Sequence, residues 1–248
     1  MNMDYAKTAL LEVDIQNDFC PAYTGKNEKA HPPGALAVAQ GDKIIDPLNG
    51  LAEKIRQRGG KVLATQDWHP ANHVSFATSH ENKNVGDIII VPVSEQAAAD
   101  FAKRFPGLND PPIPAAMQQI LWPVHCLQNS PGAAFHDALD TALIDFVFRK
   151  GYRRNIDSYS AFFENDRCTP TDLYGYLTGQ GIGTLIIGGL ALDYCVFYSA
   201  IDALRLGFTT HVVIDACAGI DVPPGSIDRA VATMKEKGAA FNSIDDFA

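Results

Sequence analysis

The stretch GGLALDYCVFYSA, residues 188–200, sets a cysteine where an apolar run gives way to a helical pattern. A thiol in the first turn of a helix faces unpaired N–H groups and the positive end of the helix dipole, which favour its thiolate. The same N–H groups suit an oxyanion developing on a carbonyl substrate. Gly188 and Gly189 let the preceding backbone bend sharply and approach a ligand. Cys195 is therefore a candidate nucleophile, set against the common alternative of a cysteine that packs as a small hydrophobe.

A nucleophilic thiol needs a base. Asp14 follows the apolar run TALLEV and would protrude where a strand ends. An ordinary carboxylate is a weak base for a thiol of pKa about 8.5, so burial has to raise it. Lys150, after the run FVFR, would favour both anions and hold the three groups together. Taken singly, Asp14 also reads as turn chemistry within DIQND, and Lys150 as a solvated lysine before Gly151.

A second cluster is QDWHPANH, with Asp67, His69 and His73, together with His125 in WPVHC. Asp67 and His69 sit on a loop after a strand with one residue between them, so both can face one ion, and a distant histidine completes the set. This mix of nitrogen and oxygen donors suits zinc, iron or manganese, with water in the remaining positions. Histidines that serve only as loop hydrogen-bonders are the alternative. His31, His80, His136 and His211 show no such arrangement.

Such residues need a frame that brings distant segments to one edge. Residues 8–13, 61–65, 146–148, 184–187 and 211–214 form short apolar runs that read as buried strands. Helical patterns cover 44–58, 170–178, 193–206 and 224–237, each closed by glycine. The alternation predicts an α/β fold with a parallel sheet and helices on both faces. Ligands in such sheets bind beyond the carboxyl ends of the strands, and that edge would carry Asp14, Asp67, Lys150, Cys195 and Asp215. Between about 79 and 119 the rhythm breaks. DIIIVPV suggests an edge strand or an extended strap because of Pro92, and FPGLNDPPIPAAM, with its four prolines, a loop. This region reads as an insertion over the top of the sheet, so that 1–248 is a single domain.

Composition narrows the functional class. A net charge of −9 with scattered basic residues argues against a nucleic-acid or anionic-membrane surface. The N-terminal MNMDYAKTALLEVDIQNDF mixes acidic with apolar residues, so it is read as neither a signal peptide nor a membrane span. Five widely spaced cysteines without a CxxC pattern favour reduced thiols in a cytoplasm. GIGTLIIGG brackets a strand instead of following one, which speaks against a dinucleotide fingerprint.

Taken together, VDIQNDF at 13–19, TQDWHPANHVSF at 65–76, WPVHC at 122–126, FRKG at 148–151 and GGLALDYCV at 188–196 resemble the nicotinamidase/pyrazinamidase branch of the isochorismatase-like cysteine hydrolases. The resemblance covers almost the whole chain apart from the insertion. It implies a six-stranded parallel sheet flanked by helices, and hydrolysis of nicotinamide, with pyrazinamide alongside, to the acid and ammonia through a cysteine thioester in NAD salvage. It implies Asp14, Lys150 and Cys195 as a catalytic triad and Asp67, His69 and His125 as ligands of one divalent ion, with zinc placed ahead of iron or manganese. Ala191 and Cys195 would supply the oxyanion N–H groups beside a cis peptide at Leu190–Ala191. Phe19, Trp122 and Tyr159 would surround the substrate ring. His73 matches a histidine that binds metal in some members and not in others, and stays open. The insertion would shape a lid or a subunit interface, which leaves a homo-oligomer open as well. The alternative within the same scaffold is an amidase acting on another carboxamide or carbamoyl group.

Overall fold

The computed structural model describes residues 3–108 and 112–247. Thr8–Val13 (β1) has all of its residues buried, as a strand covered on both faces must. A short antiparallel ribbon follows, Tyr23–Thr24 (β2) with Ala30–His31 (β3). The helix Ile45–Gln57 (α1) buries Ile45, Leu48, Leu51, Ala52 and Ile55, whose spacing puts them on one face. Acidic Asp46 in its first turn and Lys54 and Arg56 in its last complement the helix dipole. Chain order continues through Lys61–Asp67 (β4), Ile88–Pro92 (β5), Glu95–Arg104 (α2), Ala116–Ile120 (β6), Phe146–Lys150 (β7) and Leu173–Gly179 (α3). It ends with Thr184–Leu190 (β8), Phe197–Arg205 (α4), Thr209–Ala218 (β9), Ser226–Glu236 (α5) and Ala240–Asn242 (β10).

Six strands form one sheet in the order β10-β9-β8-β1-β4-β7, and every neighbouring pair is parallel. From β1 the chain steps outward through β4 to β7, then returns to the other side of β1 and continues outward through β8 and β9. The direction therefore reverses between β1 and β8, and the crevice at such a switch point is where open α/β sheets hold ligands. Alternation along the strands divides the core. Leu10, Val62 and Ile186 pack under α1, while Leu11, Leu63 and Ile187 pack under α3, α4 and α5. β1 and β8 close tightly at the crevice, where Val13 pairs with Gly189. Gly189 has φ +134°, and a Cβ there would overlap the Val13 backbone, so no other residue fits.

The expected elements are present, and their differences are at the ends. β4, β7 and β8 run two to three residues beyond their apolar cores, to Asp67, Lys150 and Leu190, so polar side chains finish β4 and β7. β9 extends to Ala218 and takes Asp215 into its interior. β10 escaped the sequence reading because three half-buried residues carry no period. In the insertion, β5 and β6 pair antiparallel, which refines the expected edge strand into a ribbon. The sequence pattern does not mark α2, which is capped by Ser94, whose Oγ accepts the Ala97 N–H. Residues 109–111 of the proline-rich loop expected at 105–117 lie outside the described residues, and Ala116 and Met117 belong to β6. Val91, Phe101 and Met117 join the core on the α3–α5 side, so the insertion packs onto the sheet domain.

Glu12 on β1, two residues before Asp14, is buried with no hydrogen-bond partner for Oε2 among the described residues. Burial, with a smaller push from Asp140, raises its carboxyl to about 8. The folded chain therefore keeps a proton that the unfolded chain gives up near pH 4.5, and stability falls as pH rises from there through 8. Urea melts are expected to show wild type losing stability relative to Glu12→Gln between pH 5 and 9, by several kcal/mol. Parallel curves for the two chains would contradict the assignment.

Candidate active site

The side chain of Lys150, at the end of β7, is 1% exposed and stands at the centre of the crevice. Its Nζ donates to Asp67 Oδ1 at 2.6 Å, to the Ser158 carbonyl at 3.0 Å and to Cys195 Sγ at 3.3 Å. Asp14 Oδ2 lies 2.8 Å from the same nitrogen as an ion pair. Burial acts to lower the Lys150 pKa, but Asp14 and Asp67 outweigh it and hold the ammonium well above its ordinary value.

Asp14 follows β1 with φ +52°, a left-handed turn that aspartate tolerates. Thr65 on β4 fixes it from both sides: its hydroxyl donates to Asp14 Oδ1 at 2.7 Å and accepts the Asp14 N–H at 3.1 Å. That leaves Oδ2 for the thiol and the ammonium. Burial raises the Asp14 carboxyl, against the pull of Lys150, which makes it a better base than a solvated aspartate.

Beyond β8 the Leu190–Ala191 peptide is cis, as the resemblance implies. Residues Leu192–Val196 then form a single π turn before α4. Within it the Ala191 carbonyl accepts from Tyr194 N at 3.0 Å and from Val196 N at 3.1 Å, a pattern that passes over Cys195. Such π turns gather at functional sites. The expectation that the helix terminus lowers the Cys195 pKa fails. Burial pushes the thiol well above its ordinary value; Lys150 opposes this, while Asp14 and Asp67 add to it. The resting thiol is protonated, with its base and its cation already beside it.

Asp67 divides its carboxylate: Oδ1 goes to Lys150, and Oδ2 faces His69 Nε2 at 3.4 Å and His125 Nε2 at 3.9 Å. Gln16 secures the Asp67 backbone, donating to its carbonyl and accepting its N–H, each at 2.8 Å. His69 Nδ1 donates to the Gly151 carbonyl and His125 Nδ1 to the Pro123 carbonyl, each at 2.8 Å. Both rings thereby turn Nε2 toward the same carboxylate oxygen, the arrangement that fixes histidine ligands at metal centres. The donor atoms of Asp67, His69 and His125 lie within 4.8 Å of one another, and all three residues are buried. These residues fit a divalent ion. Gly151, at φ +62°, is required here, because a Cβ would collide with the His69 ring. Burial and the charge of His69 push His125 down to about 4, so its ring is neutral near pH 7. Burial would raise Asp67, but Lys150, His69 and His125 hold it well below the usual carboxylate range.

His73 is not turned toward this set. Its Nδ1 meets Ser75 Oγ at 2.7 Å and its Nε2 the Ile156 carbonyl at 3.1 Å, while its ring stacks on His69. Asp215 is also absent from the edge, since its carboxylate accepts the Ile244 N–H at 3.0 Å beside β10. Phe19, Trp122 and Tyr159 do converge, lining one cavity with Asp67, His125, Ala191 and Cys195. Leu36, Asp157, Tyr194 and Ile220 complete its wall and were not singled out from sequence. Asp157 had a signal, since it stands two residues before Tyr159 and so on the same side of an extended segment; Leu36 and Ile220 had none. The cavity is a small one, ≈ 30 Å³, set between these side chains.

A family model described as Isochorismatase domain matches residues 8–246. The nicotinamidase of Escherichia coli (strain K12) is 39% identical over 239 residues, covering 96% of each chain. The Acinetobacter baumanii nicotinamidase/pyrazinamidase structure superposes with TM-score 0.79 at 37% identity, covering 100% of both chains. The pyrazinamidase of Pyrococcus horikoshii in complex with zinc gives TM-score 0.66 at 31% identity, covering 96% of this chain and 99% of that one.

Removing the central cation leaves two buried carboxylates facing each other. Lys150→Met is expected to lose about 3–5 kcal/mol in urea melts, and adding Asp14→Asn to recover part of it. Equal stability of the single and double variants would contradict this. His125→Ala should weaken zinc binding at least about tenfold in a chelator-competition titration.

Proposed function

The chain belongs to the isochorismatase family, and on that premise we propose that it hydrolyses nicotinamide to nicotinate and ammonia. The observation that carries this reading is the contact of Lys150 Nζ with Asp14, Asp67 and Cys195 at once, next to a ring-lined cavity. Asp14 Oδ2 takes the Cys195 proton, and the thiolate attacks the carboxamide carbon. Lys150 stays protonated and stabilises negative charge on either side of that transfer. The N–H groups of Ala191 and Cys195 receive the developing oxyanion, in keeping with an Ala191 carbonyl turn that passes over Cys195. Protonated Asp14 returns its proton to the amine, and ammonia leaves a nicotinoyl thioester on Cys195. Water loses a proton to Asp14 as it attacks the thioester, nicotinate departs, and the thiol is restored.

Asp67, His69 and His125 would hold one divalent ion, for which zinc is our assignment. Bound there, the ion supplies a Lewis-acidic anchor for the pyridine nitrogen. Phe19, Trp122 and Tyr159 line the cavity that would take the ring, and pyrazinamide, with one further ring nitrogen, fits the same chemistry. The curated nicotinamidases that match over most of the chain favour this substrate over another carboxamide or carbamoyl compound. We place the reaction in NAD salvage in the cytoplasm, where five unpaired cysteines are at home.

Ammonia release from nicotinamide should be readily measured for the wild type and suppressed by a chelator. Cys195→Ala should release none while it still binds zinc. Turnover near wild type in that variant would overturn the covalent mechanism.

A further inference from the structure

Gln119 lies on β6 of the insertion and is 0% exposed. A fully buried amide has to satisfy its donors and acceptor, and this one does so on residues of the cavity wall and its support. Its Nε2 donates to Asp157 Oδ2 at 3.0 Å and to the Ile120 carbonyl at 2.8 Å, and lies 3.4 Å from Tyr159 Oη. Its Oε1 accepts from Asn165 Nδ2 at 3.1 Å. Asn165 closes the ring of contacts, with its Oδ1 accepting the Tyr159 N–H at 2.8 Å and its own N–H donating to the Asp157 carbonyl at 2.7 Å. Trp122 Nε1 donates to Tyr159 Oη at 2.9 Å. Three wall residues, Asp157, Tyr159 and Trp122, are thus tied together from behind by a side chain that does not line the cavity.

We propose that Gln119 is a positioning residue through which the insertion sets substrate affinity, by fixing Asp157 and the Tyr159–Trp122 wall against the substrate ring. The inference rests on the nicotinamidase reading above. Affinity is the quantity it controls, because Lys150 takes its two carboxylate partners, Asp14 and Asp67, from β1 and β4, which Gln119 does not touch. Cys195 and Ala191 stand on the β8 side, equally apart from it. The connection to Lys150 is indirect, through the Ser158 carbonyl, whose residue donates its N–H to Asp157 Oδ1 at 2.8 Å.

Steady-state kinetics on zinc-loaded enzyme test this, with the part of Cys195 labelling by iodoacetamide that saturating nicotinaldehyde blocks counting folded sites. Gln119→Glu sets a carboxylate against that of Asp157. It is expected to raise KM for nicotinamide at least about tenfold, with kcat per labelled site within about twofold. Gln119→Leu, which keeps the volume and drops the amide, should move KM the same way. Pairing Gln119→Glu with Asp157→Asn restores a donor facing an acceptor and should bring KM back to within about threefold of wild type. A merely structural role would lower the number of labelled sites and leave KM in place. An active wild type whose Gln119 variants keep its KM, or lose only kcat, overturns this inference alone. So does a double variant no better than Gln119→Glu. A wild type inert toward nicotinamide overturns the nicotinamidase reading and this inference with it.

Discussion

A buried ammonium has no stable place in a protein interior unless anions and carbonyls surround it. Lys150 meets that condition with groups from separate segments: Asp14 after β1, Asp67 at the end of β4, Ser158 in a loop and Cys195 in the π turn after β8. The requirement reaches outward. β1, β4 and β7 must end at one level, and the register delivers this by pairing Asp67 with Lys150 directly. Asp67 then extends the constraint to the ion site, since one of its oxygens is held by Lys150 and only the other is left for His69 and His125. The nucleophile and the ion site are thus two sides of a single carboxylate.

The backbone departs from ordinary geometry around this carboxylate and its lysine. Asp14, Gly151 and Gly189 all take positive φ, and the helix after β8 starts with a π turn. Each departure solves a local problem. Asp14 turns back to meet Thr65, Gly151 brings its carbonyl under His69 without a colliding Cβ, and Gly189 lets β8 lie against Val13. Regular strands could carry these side chains to the edge but could not fold them onto one another.

The sequence was most informative where a strand ran into a polar residue. The apolar run TALLEV has the bounds of β1, and Asp14, Asp67, Lys150 and Cys195 converge as the strand-end argument required. Asp215 shows the limit of that argument. The run 211–214 was apolar only on part of a longer strand, and β9 carried Asp215 on to pair with the Ile244 backbone. Gln16 reads as turn polarity in DIQND, yet its amide clamps the Asp67 backbone across from β1. Gln119 reads as one polar residue among several in an insertion. Long-range hydrogen bonds of this kind leave no periodic trace, because their partners lie dozens of residues away. The direction of the Cys195 shift was misjudged for a related reason: helix position is local, whereas burial is set by the whole fold.

Burial that raises the thiol raises its base in the same direction. When the proton passes from Sγ to Oδ2, a negative charge moves from a point 2.8 Å from Lys150 Nζ to one 3.3 Å away. At an effective dielectric of about 20, the attraction to the ammonium differs between those positions by only about 1 kcal/mol. The net charge of the group is unchanged, and burial weighs on carboxylate and thiolate alike. Burial and the lysine therefore leave the gap of several pKa units between thiol and carboxylate close to its value in water instead of widening it. That depends on Lys150 being nearly equidistant from both atoms, which its burial between the pair provides.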